Sequence, residues 1–161
     1  KLNSKWVMWI HKIYNKSWER DTFIKVHEFD TIEKFWIFYN TIDNFTTNMF
    51  FLMRDGIFPL WEDNSNINGG VWSYIVQKND VNSCWIDISI KTIGEILTDE
   101  EYLNDINGIS LSPRTNVGII KIWNSDKEKI YELHIDDKYK KDLRYAANEN
   151  KNENKNENKK K

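Results

Sequence analysis

The pattern of apolar and polar residues predicts short strands spread over most of the chain. Residues 5–14 are rich in aromatic and β-branched side chains, and residues 23–29 alternate apolar with polar side chains, as half-buried strands do. Five further stretches share these features. They span residues 49–54, 71–78, 109–113, 117–123 and 138–147.

Helical spacing of apolar residues predicts three helices among these strands. They lie within residues 30–40, 82–97 and 125–133. The first and the third each open with a capping-box pair, which marks a helix N-terminus. The pairs are Asp30 with Glu33 and Ser125 with Glu128.

The longest predicted helix, residues 82–97, carries two adjacent apolar stripes. Together they cover about half of its circumference, more than the roughly 100° that packing on one sheet requires. The surplus stripe predicts a second partner for this helix, from this chain or from another.

The order of these elements predicts an α+β fold. Short strands alternating with three helices favour an antiparallel sheet that is covered by helices on one face. The other face is then free to hold a ligand. We expect one folded domain over residues 1–147, since this length can bury a full core. Residues 148–161 repeat an Asn-Glu-Asn-Lys pattern without apolar residues, which predicts a disordered tail.

Charge and cysteine content exclude several classes of protein. A formal net charge of −2 over 161 residues gives no strong field, so bulk attraction to nucleic acid or to an anionic membrane is not expected. The single cysteine, Cys84, excludes a disulfide framework and favours a reducing compartment, which we take to be the cytoplasm. No apolar run is long enough to span a bilayer. The abundance of Asn, Lys and Ile is typical of AT-rich genomes, such as those of some parasites and large viruses.

The sequence offers little catalytic chemistry. His11, His27 and His134 are scattered without the spacing of metal ligands, and no glycine-rich phosphate loop is present. Glu62 and Asp63 are adjacent, and adjacent residues on a strand point apart, so shared acid–base work is not expected. We therefore predict a binding protein that needs no metal or cofactor, rather than an enzyme.

Two tryptophans in polar surroundings are the best candidates for ligand binding. Trp18 lies in a polar loop, and Pro59 stiffens the loop that carries Trp61 and Glu62. Two indole faces could clamp a flat ring, with stacking worth about 1–3 kcal/mol per base, and Glu62 could accept hydrogen bonds from a guanine edge. Arg114, between two predicted strands, is a candidate for binding phosphate. The alternative is that Trp61 is a hydrophobic plug and Glu62 a solvated surface charge.

A series of motifs, most of which contain tryptophan, carries a family resemblance. In chain order they are Lys5-Trp6-Val7-Met8-Trp9, Ser17-Trp18, Phe29-Asp30-Thr31-Ile32-Glu33-Lys34-Phe35-Trp36, Asp55-Gly56-Ile57, Pro59-Leu60-Trp61-Glu62-Asp63, Gly69-Gly70-Val71-Trp72, Trp85-Ile86-Asp87, Ile93-Gly94-Glu95 and Ile122-Trp123. With these motifs the chain resembles the eukaryotic translation initiation factor 4E family, the messenger-RNA cap-binding proteins. The resemblance runs from about Lys5 to Trp123 and covers all eight tryptophans; beyond Trp123 it fades.

The resemblance implies a curved antiparallel sheet with three helices on its convex face and a cap pocket on its concave face. In that pocket, Trp18 and Trp61 are expected to sandwich the 7-methylguanine, while Glu62 accepts its N1–H and N2–H. The Trp61 backbone N–H is expected to meet O6. Trp123 is expected to contact the N7-methyl group, and Arg114 to bind the phosphate chain.

The family also binds protein partners through its helical surface, which accepts a helical Tyr-x-x-x-x-Leu-hydrophobic motif from a scaffold subunit or a repressor. By position, the partner surface here comprises Ile32, Trp36, Ile86, Asp87 and Ile90. This assignment gives the surplus stripe a function. The alternative is that the chain's own N-terminal extension buries Trp36 and Ile90. We expect the protein itself to be a monomer without membrane attachment.

Three positions depart from the family's basic residues around the phosphates. Val71 replaces an arginine, and Asn116 and Ile119 replace two lysines, so that only Arg114 remains of that cluster. Each lost phosphate contact weakens binding. The resemblance therefore implies ordinary recognition of the methylated base with weak or altered recognition of the phosphates.

Three functional hypotheses remain open at this point. The first is a non-enzymatic cap-binding protein that recruits messenger RNA to a translation scaffold. The second is a family member that has lost productive cap binding and acts as a translational repressor or protein-interaction decoy. The third is an enzyme acting on a methylated nucleotide, with Glu62 as acid or base. Quenching of tryptophan fluorescence by 7-methyl-GTP but not by GTP separates the first from the second, and hydrolysis of the bound nucleotide would favour the third.

Overall fold

The computed structural model describes residues 1–148, which form a seven-stranded antiparallel sheet and three α-helices. The strands are β1 (Trp6–His11), β2 (Phe23–Phe29), β3 (Met49–Arg54), β4 (Gly70–Gln77), β5 (Ile106–Pro113), β6 (Val117–Asn124) and β7 (Arg144–Ala147), and the helices are α1 (Ile32–Tyr39), α2 (Val81–Ile93) and α3 (Asp137–Lys140). The α+β architecture predicted from the sequence is confirmed. Of the predicted tail, only Asn148 is described: its backbone N–H donates to Gly69, and its side-chain amide donates to Asn66. The rest of the tail lies outside the described residues.

One face of the sheet packs against the helices. The strand order is β2-β1-β3-β5-β6-β4-β7 with every neighbouring pair antiparallel. Because side chains alternate between faces along a strand, strands β1, β3, β4 and β6 contribute alternate residues to this core, where Phe35 of α1 and Trp85 of α2 join them. Tyr139 of α3 packs on Tyr74 of β4, with ring centroids 4.9 Å apart. The buried strand residues of this face include Trp6, Met8, Phe50, Leu52, Ile109, Leu111, Ile120 and Ile122.

The opposite face carries a second, smaller apolar cluster. It consists of Phe23, Met49, Phe51, Met53 and Trp123, and the loop after β3 packs against it. The helices lie on the first face, so this second face is the one left open to a ligand. Within the described residues, no helix has the length and apolar character needed to cross a lipid bilayer.

The predicted helix over residues 125–133 is wrong. The Ser125 hydroxyl donates to Asp105 instead of capping the backbone at Glu128. Tyr131 also donates to the Asp105 carboxylate, at 2.7 Å. This carboxylate therefore holds the segment after β6 in an irregular conformation against the core, and the capping-box pattern does not act.

Several predicted element ends also need correction. The N-cap of α1 is Thr31 rather than Asp30: the Thr31 hydroxyl accepts the Lys34 N–H at 3.2 Å. Helix α2 ends at Ile93 instead of extending to residue 97, because the chain leaves the helix at Gly94. The last predicted strand, residues 138–147, is divided between α3 and the shorter strand β7.

Arg54, the last residue of β3, ties the sheet to the turn after α2. Its guanidinium donates to Glu95 at 2.6 Å and to the Ser4 hydroxyl at 2.7 Å. Two more of its N–H groups donate to the carbonyls of Leu103 and Ile106, both at 2.7 Å. The charged side chains are only 15% and 11% exposed. Burial by itself raises the pKa of Glu95, but the Ser4 hydroxyl and the Arg54 guanidinium outweigh burial and hold the pKa below its usual value.

We expect Arg54→Met to lower the free energy of unfolding by about 3 kcal/mol, because it leaves Glu95 buried without its partner. The exposed pair of Lys34 with Asp30 gives a matched control, and Lys34→Met should cost much less than Arg54→Met. Urea unfolding near neutral pH measures both losses, and equal losses would contradict the expectation.

The Arg54→Met penalty should also depend on pH. Because the pKa of Glu95 is lowered in the folded state, the stability it contributes is fully present above its unfolded-state pKa. That stability is lost as the pH falls through the lowered folded-state value. Unfolding curves recorded at acidic pH should therefore show a smaller difference between wild type and Arg54→Met.

Candidate functional site

A cavity of about 320 Å³ opens on the sheet face opposite the helices. Its floor comes from β3, β5 and β6, and its walls come from the loop between β1 and β2 and the loop after β3. Ligand pockets in proteins usually have about 300–1,000 Å³, so the cavity suits a small ligand. Its lining comprises Trp18, Met49, Phe51, Pro59, Leu60, Trp61, Glu62, Ser110, Ser112, Lys121 and Trp123.

Trp18 faces the cavity from one wall and rests on a histidine. Its ring is stacked on that of His11, with centroids 4.4 Å apart and planes 4° from parallel. His11 is fully buried, and its Nε2 lies 2.8 Å from the Ser17 carbonyl oxygen. Since a carbonyl only accepts, Nε2 carries the proton and donates. One face of Trp18 is thus fixed while 49% of the residue stays exposed, so the ring is preorganised in the wall.

Trp61 and Glu62 reach the cavity together because they lie in a turn rather than in a strand. In a strand, adjacent side chains would point to opposite sides. Asp63 stabilises the turn instead, because its carboxylate accepts from the backbone N–H of Ser65 at 2.9 Å and of Phe58 at 3.3 Å. Glu62 therefore lines the cavity while the Asp63 carboxylate holds the turn, although the two residues do not lie on a strand as the sequence argument assumed.

The turn is held from inside by Asn66, which is fully buried. Its amide donates to the carbonyls of Phe58 at 3.0 Å and Leu60 at 2.8 Å. Its own oxygen accepts from the Asn107 amide of β5 at 2.9 Å. Sequence reasoning missed this role, because an asparagine among polar neighbours is typical of an exposed loop.

Trp123 of β6 forms part of the cavity floor. It is 8% exposed, and its Nε1–H donates to the Ser110 hydroxyl at 3.0 Å. The indole N–H is therefore already occupied, and the ring offers a ligand only its carbon surface.

Lys121 lines the cavity and was not among the site residues predicted from the sequence. It lies two residues before Trp123 on β6 and lines the same cavity. Burial, together with the charge of nearby Arg114, lowers the pKa of the Lys121 amine. Strand alternation could have predicted this position, because residues two apart share a face.

Arg114, the fifth predicted site residue, lies outside the lining of the cavity. It occupies the turn between β5 and β6, is exposed, and donates to the Pro113 carbonyl at 3.1 Å. Its charge is close enough to Lys121 to influence that amine. The structure thus brings together Trp18, Trp61, Glu62 and Trp123. Arg114 stays outside the lining, in the turn between β5 and β6.

The predicted partner surface lies on the other side of the sheet, on α1 and α2. The Tyr39 hydroxyl of α1 donates to Ser89 of α2 at 2.8 Å and holds the two helices together. On this surface Ile32 is 40% and Trp36 39% exposed, and no segment within residues 1–148 covers them. The other predicted members are half-buried Ile86 and Ile90 and exposed Asp87, which pairs with Lys91 at 2.9 Å.

We expect Asn66→Ala to loosen the turn that carries Trp61 and Glu62. The variant removes three hydrogen bonds, two to the carbonyls of Phe58 and Leu60 and one from the Asn107 amide, each worth about 0.5–1.5 kcal/mol. Amide hydrogen exchange over residues 58–66 should become at least about fivefold faster. Asn64→Ala, at an exposed position of the same turn, serves as the control and should leave exchange unchanged. Unchanged exchange in Asn66→Ala would show that the turn is held by other contacts.

The chain is similar to one protein family over its whole length and to individual members of that family. The family model described as Eukaryotic initiation factor 4E matches residues 1–161. The chain is 33% identical over 153 residues to eukaryotic translation initiation factor 4E of Candida albicans, covering 88% of this chain and 72% of that protein. It is 32% identical over 152 residues to the factor of Homo sapiens, covering 88% of this chain and 69% of that protein.

Solved structures give the same family. A complex of Caenorhabditis elegans eIF4E-3 with the 4E-binding protein Mextli and cap analog is similar with a TM-score of 0.71 and 32% identity, over 78% of this chain and 73% of that chain. Ascaris suum eIF4E-3 with m7G cap is similar with a TM-score of 0.72 and 29% identity, over 80% of this chain and 74% of that chain.

Proposed function

The chain belongs to the eukaryotic initiation factor 4E family, and we propose that it binds the 7-methylguanosine 5′ cap of messenger RNA in the cavity described above. By doing so it recruits capped messenger RNA to the translation initiation machinery. One observation carries the proposal: Trp18 and Trp61, from two separate loops, line one cavity together with Glu62.

The two indoles suit a flat, positively charged ring. Stacking on an aromatic side chain contributes about 1–3 kcal/mol per base, and a cation over an indole face adds about 0.5–2 kcal/mol. Methylation at N7 gives guanine that positive charge, so 7-methylguanine gains from both terms where guanine gains from one. The stacking of Trp18 on His11 supports the proposal. Because His11 already holds one face of the indole, little conformational entropy is lost when a ligand stacks on the other face.

Glu62 and the Trp61 backbone read the edge of the base. The Glu62 carboxylate accepts N1–H and N2–H in two charge-assisted hydrogen bonds, and the Trp61 N–H donates to O6. A guanine edge presents two donors and one acceptor in this order, whereas adenine does not. Trp123, whose N–H is taken by Ser110, contacts the N7-methyl group through its carbon surface.

The α1–α2 surface binds a partner protein through a helix. Trp36 and Ile32 are exposed next to the half-buried Ile86 and Ile90, which gives an apolar patch across two neighbouring helices. An amphipathic helix with a Tyr-x-x-x-x-Leu-hydrophobic motif fits such a patch. The partner would be a scaffold subunit of the initiation machinery or a translational repressor. The similar Caenorhabditis elegans complex contains a 4E-binding protein, Mextli.

The alternative function is that of a translational repressor or decoy with impaired cap binding. The replacement of basic residues by Val71, Asn116 and Ile119 favours it, and the complete cavity disfavours it. An enzymatic function gains no support from Cys84, because burial raises the pKa of its thiol and disfavours the nucleophilic thiolate.

Trp61→Ala should weaken binding of 7-methyl-GTP at least about tenfold, because one of the two stacking surfaces is lost. Tryptophan fluorescence quenching or calorimetry measures the affinity, with GTP as the unmethylated ligand. Trp36→Ala, on the opposite side of the sheet, is the matched control and should bind 7-methyl-GTP as wild type does. Equal affinity of wild type for 7-methyl-GTP and GTP would refute cap binding.

Trp36→Ala should weaken binding of a Tyr-x-x-x-x-Leu-hydrophobic peptide at least about thirtyfold, the effect expected when a central aromatic anchor of an interface is truncated. Ile75→Ala removes an exposed apolar side chain from the sheet and controls for general loss of apolar surface. Trp61→Ala should bind the peptide normally. If the peptide binds Trp36→Ala as it binds wild type, the partner surface lies elsewhere.

A further inference from the structure

We propose that Lys121 binds the phosphate next to the cap nucleoside, and so replaces the basic residues that the family has at the positions of Val71, Asn116 and Ile119. The proposal rests on the proposed function, since it assigns a subsite within the same cavity. It places the phosphate-binding charge on the cavity floor, two residues along β6 from Ile119.

The register of the sheet places Lys121 beside the base-binding end of the cavity. Lys121 and Trp123 share a face of β6, with their Cα atoms about 6.6–6.8 Å apart for residues two apart on a strand. Across the sheet, Lys121 pairs with Ser110 of β5, the residue whose hydroxyl accepts from Trp123. A ligand whose methylated base touches Trp123 therefore brings its ribose and first phosphate toward Lys121.

The ammonium group of Lys121 is available for an anion. Within residues 1–148, its surroundings provide burial and the repulsive charge of Arg114, and no carboxylate compensates it. A half-buried amine in this position has lost hydration without gaining a partner. A phosphate in the cavity would supply the missing partner.

The cavity also contains Glu62, whose charge is opposite to that of Lys121. Within residues 1–148, the two side chains line the same cavity without forming an ion pair. A cavity with a separated carboxylate and ammonium group suits a ligand that is itself divided into a cationic base and an anionic phosphate. A 7-methylguanosine nucleotide has this division of charge.

The position of Arg114 limits its part in binding. Arg114 is exposed and lies outside the lining, whereas Lys121 is part of it. The first phosphate therefore meets Lys121, and Arg114 is left with the outer phosphates, where solvent screens its charge. It follows that most of the phosphate contribution to affinity is already present in the monophosphate.

The test compares three probes: 7-methylguanosine, 7-methyl-GMP and 7-methyl-GTP. Calorimetry on the full chain measures each affinity for wild type and for Lys121→Met, which keeps the length of the side chain and removes its charge. For wild type we expect 7-methyl-GMP to bind about tenfold tighter than the nucleoside, as for one charge-assisted contact. We expect Lys121→Met to abolish that tenfold gain and to change nucleoside affinity less than about twofold.

Two further variants control this experiment. Lys121→Arg should restore the monophosphate gain to within about threefold of wild type, because it returns the charge. Lys129→Met removes one positive charge from an exposed position outside the cavity and should leave all three affinities unchanged. Urea unfolding of Lys121→Met should show no loss of stability, since the variant relieves an uncompensated buried charge.

Several outcomes would overturn the proposal. Equal weakening of nucleoside and nucleotide in Lys121→Met would show that Lys121 shapes the base pocket. Equal affinity of wild type for 7-methylguanosine and 7-methyl-GMP would show that the first phosphate has no partner. Failure of wild type to bind 7-methylguanosine more tightly than guanosine would refute the proposed function itself, and this result is read from wild type alone.

Discussion

Alternation along the central strands β5 and β6 is the constraint on which both faces of the molecule depend. Ile109, Leu111 and Ile122 are fully buried beneath the helices, while residues of the same two strands that point to the opposite face line the cavity. A slip of one residue in the register would turn these apolar side chains into the cavity and would bury Lys121 and Trp123 in the core. Each buried aliphatic side chain contributes about 1.5–3 kcal/mol, so the register is strongly specified. The packing of the core thereby determines the floor of the site.

Sequence patterns predicted the elements whose conformation depends on neighbouring residues. They failed where the conformation depends on residues far away in the chain. Strands β2 and β3 have the predicted bounds, because their apolar patterns are complete in themselves. The helix predicted after Ser125 does not form, because Ser125 binds Asp105, 20 positions earlier in the chain. The role of Asn66 depends likewise on Asn107, 41 positions away. No local pattern contains such a contact, so a single sequence does not reveal it.

The candidate site was predictable in part for the same reason. The aromatic and acidic residues stand in loops whose composition marks them as exposed, and the structure places Trp18, Trp61 and Glu62 around one cavity. That Trp18 leans on His11 depends on a buried imidazole at the end of β1, which the pattern of that strand does not single out. Lys121 was within reach of sequence reasoning, since strand alternation links it to Trp123.

A lysine on the floor of a sheet differs from a lysine on a loop in what it contributes to binding. A loop lysine is hydrated in the empty site and must be ordered and dehydrated when phosphate binds, so much of its attraction is offset. Lys121 is already half-buried, and the isoleucines on either side of it hold β6 in the core, so most of the cost of desolvating and placing the amine is met during folding. The same strand, β6, thus stabilises the sheet and holds the amine in place in the cavity. In the proposed role, one amine held on β6 takes the place of several basic residues and reaches only the phosphate nearest the base.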